Sequence, residues 1–207
     1  MKQFNKQKLQ NRLRNKFLKL GVQMLGPETI YFSEDTKIGK NVTIEPYVVF
    51  GSKVKIGNNV SIKSFSHLEN CKIENNVDLG PYARIRPGTI LKEGSKVGNF
   101  VEIKKSVIAA GSKVNHLSYI GDAELGANVN VGAGTITANF DGTNKHLTVI
   151  GEGSKTGANS VLVAPVVIGK NVTIGAGSTI TKAVPDGSLA IGRAKQLTKE
   201  GWDRNAK

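Results

Sequence analysis

The chain has 207 residues, with 29 Lys or Arg against 16 Asp or Glu and a net charge of +13 at pH 7. This length suffices for one domain with a substantial core. No apolar run reaches the ~18 residues of a transmembrane helix, and we expect no secretory signal because the first residues lack an apolar stretch. A single cysteine, Cys71, excludes a disulfide framework within the chain and suits a reducing compartment, so we expect a cytoplasmic location.

The positive charge is compatible with several kinds of partner. Basic chains often bind nucleic acid, membranes or anionic small molecules. Here the lysines are scattered over turns, as in "GKN" at 39–41 and "KEGSK" at 92–96, and no Arg-rich or base-stacking cluster of the RNA-binding kind occurs. We therefore predict a solvated Lys-rich surface with no nucleic-acid or membrane partner. Attraction of phosphorylated small molecules is compatible with that surface.

Residues 1–20 predict a helix. They carry seven Lys or Arg and no acid, and Leu9, Leu13, Phe17 and Leu20 recur at helical spacing. A membrane-surface helix or an organelle presequence would have the same pattern. We favour an amphipathic helix that packs on the first turn of the domain that follows it.

From residue 38 onward an aliphatic residue recurs every six positions, with occasional five-residue steps. The unit is roughly Ile-Gly-x-x-Val-x, as in "IGKNVT" at 38, "IGNNVS" at 56 and "IGAGST" at 174. Such a repeat is too short for a helical or propeller module. It suits short flat strands joined by tight turns, with the aliphatic side chain inward and Gly or Asn at the strained turn positions. Three units make one triangular coil of about 18 residues, and the coils stack about 4.8 Å apart.

The predicted fold is an all-β solenoid that resembles the left-handed parallel β-helix of hexapeptide-repeat proteins. The hand comes from this resemblance, because the usual crossover rule favours the opposite hand. We place the β-helix at residues 30–185, with an inserted loop at 138–149 where the repeat is interrupted. Residues 186–207 are expected to form a C-terminal tail, anchored on a neighbour by its tryptophan.

Residues at the same place in successive coils lie above one another, so the spacing predicts columns. Arg86 and Lys104 each directly follow an inward residue and are 18 residues apart. Two cations stacked at strand spacing repel unless an anion lies between them, and guanidinium and ammonium groups are natural ligands of phosphate. We therefore predict a phosphate-binding pair. The alternative is two solvated surface charges.

A second predicted column combines a histidine with alanines. His116 lies two places after an inward residue, and Ala133, Ala158 and Ala176 have the same place in later coils if the loop is an insertion. A groove floored by alanine over about 14 Å accepts a long thin ligand such as pantetheine and delivers it to the imidazole. The alternative is that alanine is simply a common turn residue in these repeats.

His116 is a candidate general base, because imidazole titrates near neutrality. A lone histidine is more often structural than catalytic. The other histidines, His67 and His146, fall at other phases of the repeat, unlike the tri-His site of the hexapeptide-repeat carbonic anhydrases. We therefore expect no metal site.

Five segments resemble a known family. They are "GPYARIRPGTIL", "VGNFVEIKKS", "NHLSYIGDAELGANVNVGAGTITANFDGTNKH", "LVAPVVIG" and "SLAIGRAKQLTKEGW". They resemble the acetyltransferase half of the bifunctional enzyme that joins glucosamine-1-phosphate N-acetyltransferase to N-acetylglucosamine-1-phosphate uridylyltransferase and makes UDP-N-acetylglucosamine. The likeness runs from about Leu9 to Trp202 and is most specific over residues 80–146. It implies acetyl transfer from acetyl-CoA to glucosamine 1-phosphate without a metal, in a homotrimer with active sites between subunits.

The resemblance also implies roles for individual residues. His116 is similar to the base that takes the proton from the sugar amine. The implied substrate contacts are Arg86, Lys104 and Lys145 for the phosphate, with Tyr119 and Asn130 for the sugar. The implied acetyl-CoA contacts are Ala133, Asn139, Phe140, Ala158, Ala176 and Arg193. The loop 138–149 is expected to reach over His116 and help to close the site.

The chain departs from the family pattern in three places. Phe140 stands where Tyr is usual, and Ala158 stands where Ser is frequent. The uridylyltransferase half has no counterpart, because residues 1–20 resemble only the helix that links the halves. An excised fragment and a separately encoded acetyltransferase would both give this pattern. We expect no UTP-dependent activity from this chain, and a separate uridylyltransferase protein is a candidate partner.

Besides a nucleic-acid binder, which rests on the charge alone, two rival functions remain open from the sequence. One is another hexapeptide-repeat acyltransferase that acts on a sugar or sugar nucleotide, including those that use acyl carrier protein. The enzymes of that kind in lipid A synthesis usually have a longer helical C-terminal region than this chain. The other rival is a non-catalytic trimeric scaffold, against which the retained His116, Lys104 and Asn130 argue.

Overall fold

A computed structural model of the protein describes residues 2–203. An α-helix spans Lys2–Lys19, and a single 3-10 turn follows at Pro27–Thr29. The other regular elements in this described part of the chain are strands of two to four residues, arranged in three parallel sheets of ten, eight and eight strands. The chain visits the three sheets in the same order in every coil, so each sheet forms one face of a three-sided prism.

The strands are grouped here by sheet. Sheet I contains Gln23–Met24, Thr43–Ile44, Ser61–Ile62, Asp78–Leu79, Lys96–Asn99, Lys113–His116, Asn130–Val131, Lys155–Thr156, Thr173–Ile174 and Leu189–Ala190. Sheet II contains Val49–Phe50, His67–Leu68, Arg84–Ile85, Glu102–Lys104, Tyr119–Gly121, Ile136–Ala138, Val161–Val163 and Thr179–Ile180. Sheet III contains Lys37–Ile38, Lys55–Ile56, Cys71–Ile73, Thr89–Leu91, Val107–Ile108, Ala123–Leu125, Thr148–Ile150 and Val166–Ile168.

The repeated aliphatic residues fill the interior of the prism, as predicted. Ile44, Leu68 and Ile120 are fully buried, and the other inward positions are buried with few exceptions. Ile38 is only partly buried, because its strand is the edge of sheet III. Burial of apolar area contributes about 25 cal/mol per Å², so the stack of inward side chains stabilises the coils and fixes which residues face outward.

Left-handed backbone closes the turns, and asparagine takes many of these positions as predicted. Asn41, Asn59 and Asn76 have φ values of 54° to 59°. Their side-chain amides bond to one another in a ladder at 3.1 Å. Asparagine tolerates this conformation better than other residues with a side chain.

The corner between sheets I and II has a different composition that the repeat did not predict. Tyr47, Phe65, Tyr82 and Phe100 adopt φ values of 54° to 62° there. Their rings are 47–55% exposed and stack with centroids 4.8–5.1 Å apart. A residue with a left-handed backbone costs about 1–2 kcal/mol of conformational energy. Each stacked pair of rings contributes roughly 0.5–1.5 kcal/mol, which offsets part of that cost. We call these four residues the aromatic ladder.

The N-terminal helix packs on the first coil, which confirms the favoured alternative. Leu13 and Phe17 are buried, and the Phe17 ring lies 4.7 Å from that of Phe32. Arg14 is also buried, and its guanidinium donates to two backbone carbonyls of the first coil at 2.9 Å. Leu20 was wrongly placed on the packed face: it is 57% exposed because the helix ends at Lys19. No helix among residues 2–203 is both long and apolar enough to cross a membrane.

Both ends of the prism extend beyond the predicted 30–185. Gln23–Met24 pairs with Thr43–Ile44, and Leu189–Ala190 pairs with Thr173–Ile174. These end strands pair through backbone hydrogen bonds but lack the aliphatic repeat, so the repeat did not predict them. The interruption is also shorter than the predicted 138–149, because strands continue to Ala138 and resume at Thr148.

Candidate functional site

The predicted histidine–alanine column exists at the corner between sheets I and II. The residue after Ala133 donates its backbone N–H to the His116 carbonyl at 3.2 Å. The same bond links the residue after Ala158 to Ala133 at 2.7 Å, and the residue after Ala176 to Ala158 at 2.8 Å. Ala158 and Ala176 are exposed and Ala133 is partly exposed. Counting along the repeat therefore gave the correct phase for this column.

Arg193 lies at the far end of the alanine column. Its Nη1 donates to the Ala176 carbonyl at 2.8 Å, and its side chain is otherwise exposed. The column thus has an imidazole at one end, small side chains along about 14 Å of its length, and a guanidinium at the other end. This arrangement suits a long ligand with an anionic end.

A hydrogen bond to Asn99 orients the His116 imidazole. Nδ1 of His116 lies 3.0 Å from Oδ1 of Asn99, which is its direct neighbour in sheet I. An amide oxygen only accepts hydrogen bonds, so Nδ1 carries the proton and Nε2 is left as the basic atom. Asn99 was not predicted, although it lies 17 residues before His116 and therefore belongs to the same column.

Arg86 and Lys104 also stack as predicted, but a carboxylate accompanies them. The Arg86 N–H donates to the carbonyl just before Lys104 at 2.8 Å, which fixes the stack. Arg86 Nη1 lies 2.6 Å from Oε1 of Glu102, and this ion pair raises the pKa of Arg86. The expectation that a bound anion must relieve the repulsion was therefore incomplete. Glu102 on the adjacent strand already neutralises one of the two cations.

Lys145 extends this group of cations. Its ammonium contacts that of Lys104, and this contact, followed by partial burial, lowers the pKa of Lys104. Arg86 adds a smaller effect in the same direction. Like charges at contact distance repel, and an anion bound between them removes the repulsion. We call Lys104 and Lys145 the lysine pair.

The Tyr119 hydroxyl joins the same column. Gly121 is the neighbour of Lys104 in sheet II, one coil further along. A Cβ atom on Gly121 would collide with the hydroxyl of Tyr119, so the phenol lies directly over this glycine. One face thereby presents two lysines, an arginine and a phenol, which together can bind a phosphorylated sugar.

Other predicted contacts lie elsewhere within the single chain. Asn130 is exposed on sheet I, three residues before Ala133 and therefore roughly 10 Å from the alanine column. The side chain of Asn139 is 6% exposed and donates to Asp122 at 2.6 Å, so its amide is already engaged. Phe140 is 58% exposed and free to contact a ligand.

Within the single chain the loop leads away from His116. It leaves sheet II and enters sheet III, and its bonds lead to Asp122 and to the lysine pair at that corner. His116 lies at the other edge of sheet II. No hydrogen bond or ion pair among residues 2–203 joins the loop to His116 of the same chain.

Comparisons with known proteins agree with this fold. Residues 35–70 and 147–182 match the family described as bacterial transferase hexapeptide (six repeats). The LpxA structure from Acinetobacter baumannii is 18% identical with a TM-score of 0.72, over 88% of this chain and 79% of that one. The Arabidopsis UDP-N-acetylglucosamine acyltransferase is 19% identical with a TM-score of 0.59, over 79% and 70%. The fold is thus a left-handed parallel β-helix built of hexapeptide repeats.

Comparison of sequences relates the chain to a narrower group of proteins than comparison of folds. Bifunctional protein GlmU of Synechococcus sp. (strain CC9311) is 65% identical over 95% of this chain and 47% of the relative. That of Zymomonas mobilis is 57% identical over 93% and 43%. The chain spans about half the length of the curated relatives that it matches. In sequence it corresponds to the C-terminal half of the GlmU proteins.

Proposed function

We propose that the protein is a glucosamine-1-phosphate N-acetyltransferase that uses acetyl-CoA. The observation that carries this proposal is the presence of two complementary columns on one prism. The His116 column offers a base at the end of a narrow alanine groove. The lysine pair and Arg86 offer a phosphate site on the adjacent face. The match to half of a protein named bifunctional supports one of two activities.

In the proposed reaction His116 acts as general base. The amine of glucosamine has a pKa of about 8, like an α-amino group, so much of it is ammonium at neutral pH. Nε2 of His116 takes a proton as the amine nitrogen attacks the thioester carbonyl. The new N–C bond forms, the C–S bond breaks, and the His116 imidazolium returns its proton to the leaving sulfur, so that coenzyme A leaves as the thiol. Such a base accelerates the reaction by about 10²–10⁴-fold. We assign stabilisation of the oxyanion that develops on the thioester carbonyl to a backbone N–H of the corner turn.

The cations give the reaction its preference for a phosphorylated sugar. The lysine pair binds the phosphate through charge-assisted hydrogen bonds, and Arg86 adds a third cation held by Glu102. The Tyr119 hydroxyl lies above Lys104 and can bond to the sugar or its phosphate. Substrate without phosphate would lose these contacts.

We further propose that the active form is a homotrimer with sites between subunits. Two features of the single chain support it. Asn130 and the lysine pair lie on different faces, so a second copy is needed to bring both to one sugar. The aromatic ladder also leaves four half-exposed rings on one corner, a patch of the kind that marks protein interfaces.

A thiol-release assay with acetyl-CoA tests the proposed function. With glucosamine 1-phosphate and no added metal we expect rapid release of coenzyme A, and at least about tenfold lower kcat/KM with glucosamine, because phosphate contacts are charge-assisted. Equal use of the two sugars would contradict the phosphate site. Activity only with UDP-N-acetylglucosamine and an acylated carrier protein would replace the proposal by the rival acyltransferase.

The alanine groove predicts the effect of Ala176→Leu. The added side chain would obstruct the far end of the groove, so the KM for acetyl-CoA should rise at least about tenfold, equivalent to ~1.4 kcal/mol. The KM for the sugar phosphate and the melting temperature should change little, because Ala176 is exposed. Steady-state kinetics with each substrate varied separately measures this.

The matched control is Thr173→Leu, at an exposed outward position on the same coil but away from the column. It should leave the KM for acetyl-CoA unchanged. A large loss of thermal stability in Ala176→Leu would show that the residue packs inward. Unchanged acetyl-CoA kinetics in a stable variant would show that the groove runs elsewhere.

A further inference from the structure

The loop 139–147 is a small hairpin organised by one carboxylate. Oδ1 of Asp141 accepts the backbone N–H groups of Thr143 and Asn144 at 2.8 and 2.7 Å. Its Oδ2 lies 2.6 Å from Nε2 of His146. These donors, above all the N–H of Asn144, hold the pKa of Asp141 well below its usual range. Asp141 is therefore ionised and joins the tip of the hairpin to its returning strand.

Lys145 lies between two residues that are both hydrogen-bonded to the Asp141 carboxylate. The residue before it is bonded through its N–H, and the residue after it is bonded through its imidazole. An ionised carboxylate only accepts hydrogen bonds, so Nε2 of His146 carries the proton. The backbone N–H of His146 also donates to the Asn139 carbonyl at 2.8 Å. Lys145 forms an isolated antiparallel β-bridge with Phe140. The backbone of Lys145 is thereby fixed on both sides.

The base of the hairpin is tied to the strand that carries Lys104. The buried amide of Asn139 donates to Oδ2 of Asp122 at 2.6 Å. The N–H of Asp122 in turn donates to the Lys104 carbonyl at 3.0 Å. A continuous set of bonds therefore runs from the backbone of Lys104, through Asp122 and the hairpin, to Lys145.

We propose that Asp141 is a positioning residue that holds Lys145 beside Lys104 before any anion binds. Without this restraint the two ammonium groups would separate, because they repel. The phosphate would then have to order the hairpin as well as bind, and that ordering lowers affinity. Identification of the anion as the sugar phosphate rests on the proposed function. The preformed lysine pair by itself is a binding site for any phosphate monoester.

Kinetics of Asp141→Ala give the first test. We expect the KM for glucosamine 1-phosphate to rise about tenfold, as for a lost charge-assisted contact, with kcat and the KM for acetyl-CoA within about twofold of wild type. Asp141→Asn keeps one acceptor oxygen and should give a smaller rise. Thr143→Ala is the matched control, since only the backbone of Thr143 is bonded in the described structure. Equal effects of Asp141→Ala and Thr143→Ala would overturn the proposal.

A double-mutant cycle separates positioning of Lys145 from a general effect on the loop. If Asp141 acts through Lys145, Asp141→Ala adds no further rise in the KM for glucosamine 1-phosphate once Lys145→Ala is present. A multiplicative rise in the double variant would show that Asp141 acts independently of Lys145. That outcome would overturn the proposal.

Calorimetric titration with inorganic phosphate distinguishes this inference from the proposed function. We expect the wild-type protein to bind phosphate and Asp141→Ala to bind it about tenfold more weakly. If the wild type transfers no acetyl group yet shows this difference, the proposed function fails and the positioning role stands. Equal phosphate binding by the two proteins, or none by the wild type, would overturn the positioning role whatever the acetyl-transfer activity.

Discussion

Replacement of His116 by alanine is expected to lower kcat for acetyl transfer by at least about a hundredfold, the lower end for a lost general base. Nε2 is the basic atom because Nδ1 donates to Asn99. The KM values should change little, since the imidazole acts on the proton rather than on binding. The side chain is exposed at a corner, so the variant should keep the melting temperature of the wild type. The thiol-release assay and a thermal melt measure both quantities.

Two companion variants sharpen this prediction. His67→Ala removes a histidine from sheet II, three coils below His116, and should leave kcat unchanged. Asn99→Ala should lower kcat more than His67→Ala and less than His116→Ala. The variant keeps the imidazole but loses the hydrogen bond that fixes its tautomer and orientation. Turnover like that of the wild type in His116→Ala would remove His116 from the mechanism.

Lys104→Ala is expected to raise the KM for glucosamine 1-phosphate by roughly 10- to 100-fold. A hydrogen bond to a charged group contributes about 1.5–3 kcal/mol, and Lys104 is the member of the lysine pair that belongs to the rigid sheet. The KM for acetyl-CoA should be nearly unchanged, because the alanine groove lies at the opposite edge of sheet II. Initial rates with each substrate varied in turn give both constants.

The control for the loss of one positive charge is Lys96→Ala, on the exposed face of sheet I. It should leave both KM values near those of the wild type, which separates a specific contact from the field of a chain with a net charge of +13. Glucosamine, which lacks the phosphate, should be used equally well by wild type and Lys104→Ala. An equal rise in the two KM values of Lys104→Ala would contradict a phosphate role for Lys104.

The sequence predicted those parts of the structure that depend on counting along a repeat. The inward residues, the stack of Arg86 on Lys104 and the phase of Ala176 all follow from coils of nearly constant length. Columns are predictable because parallel strands pair residue by residue. The same rule places Asn99 directly beside His116, and it places Glu102 beside Arg84, two residues from Arg86.

The remaining features depend on local bonds that no repeat encodes. The position of Lys145 is set by Asp141 and by the buried bond from Asn139 to Asp122, and these bonds join residues outside the repeat. The aromatic ladder occupies positions where the pattern predicted Gly or Asn, because stacking offsets the cost of a left-handed backbone. The separation of Asn130 from the lysine pair became evident only once the faces of the prism were assigned.

Mass spectrometry of the product tests the central claim most directly. The protein would be incubated with acetyl-CoA labelled in its acetyl group and with glucosamine 1-phosphate, without added metal. We expect one labelled acetyl group on the sugar nitrogen, with the phosphate retained, and at least about a hundredfold slower formation of this product by His116→Ala. Release of coenzyme A without an acetylated sugar phosphate, or acetylation of a sugar oxygen, would contradict the claim.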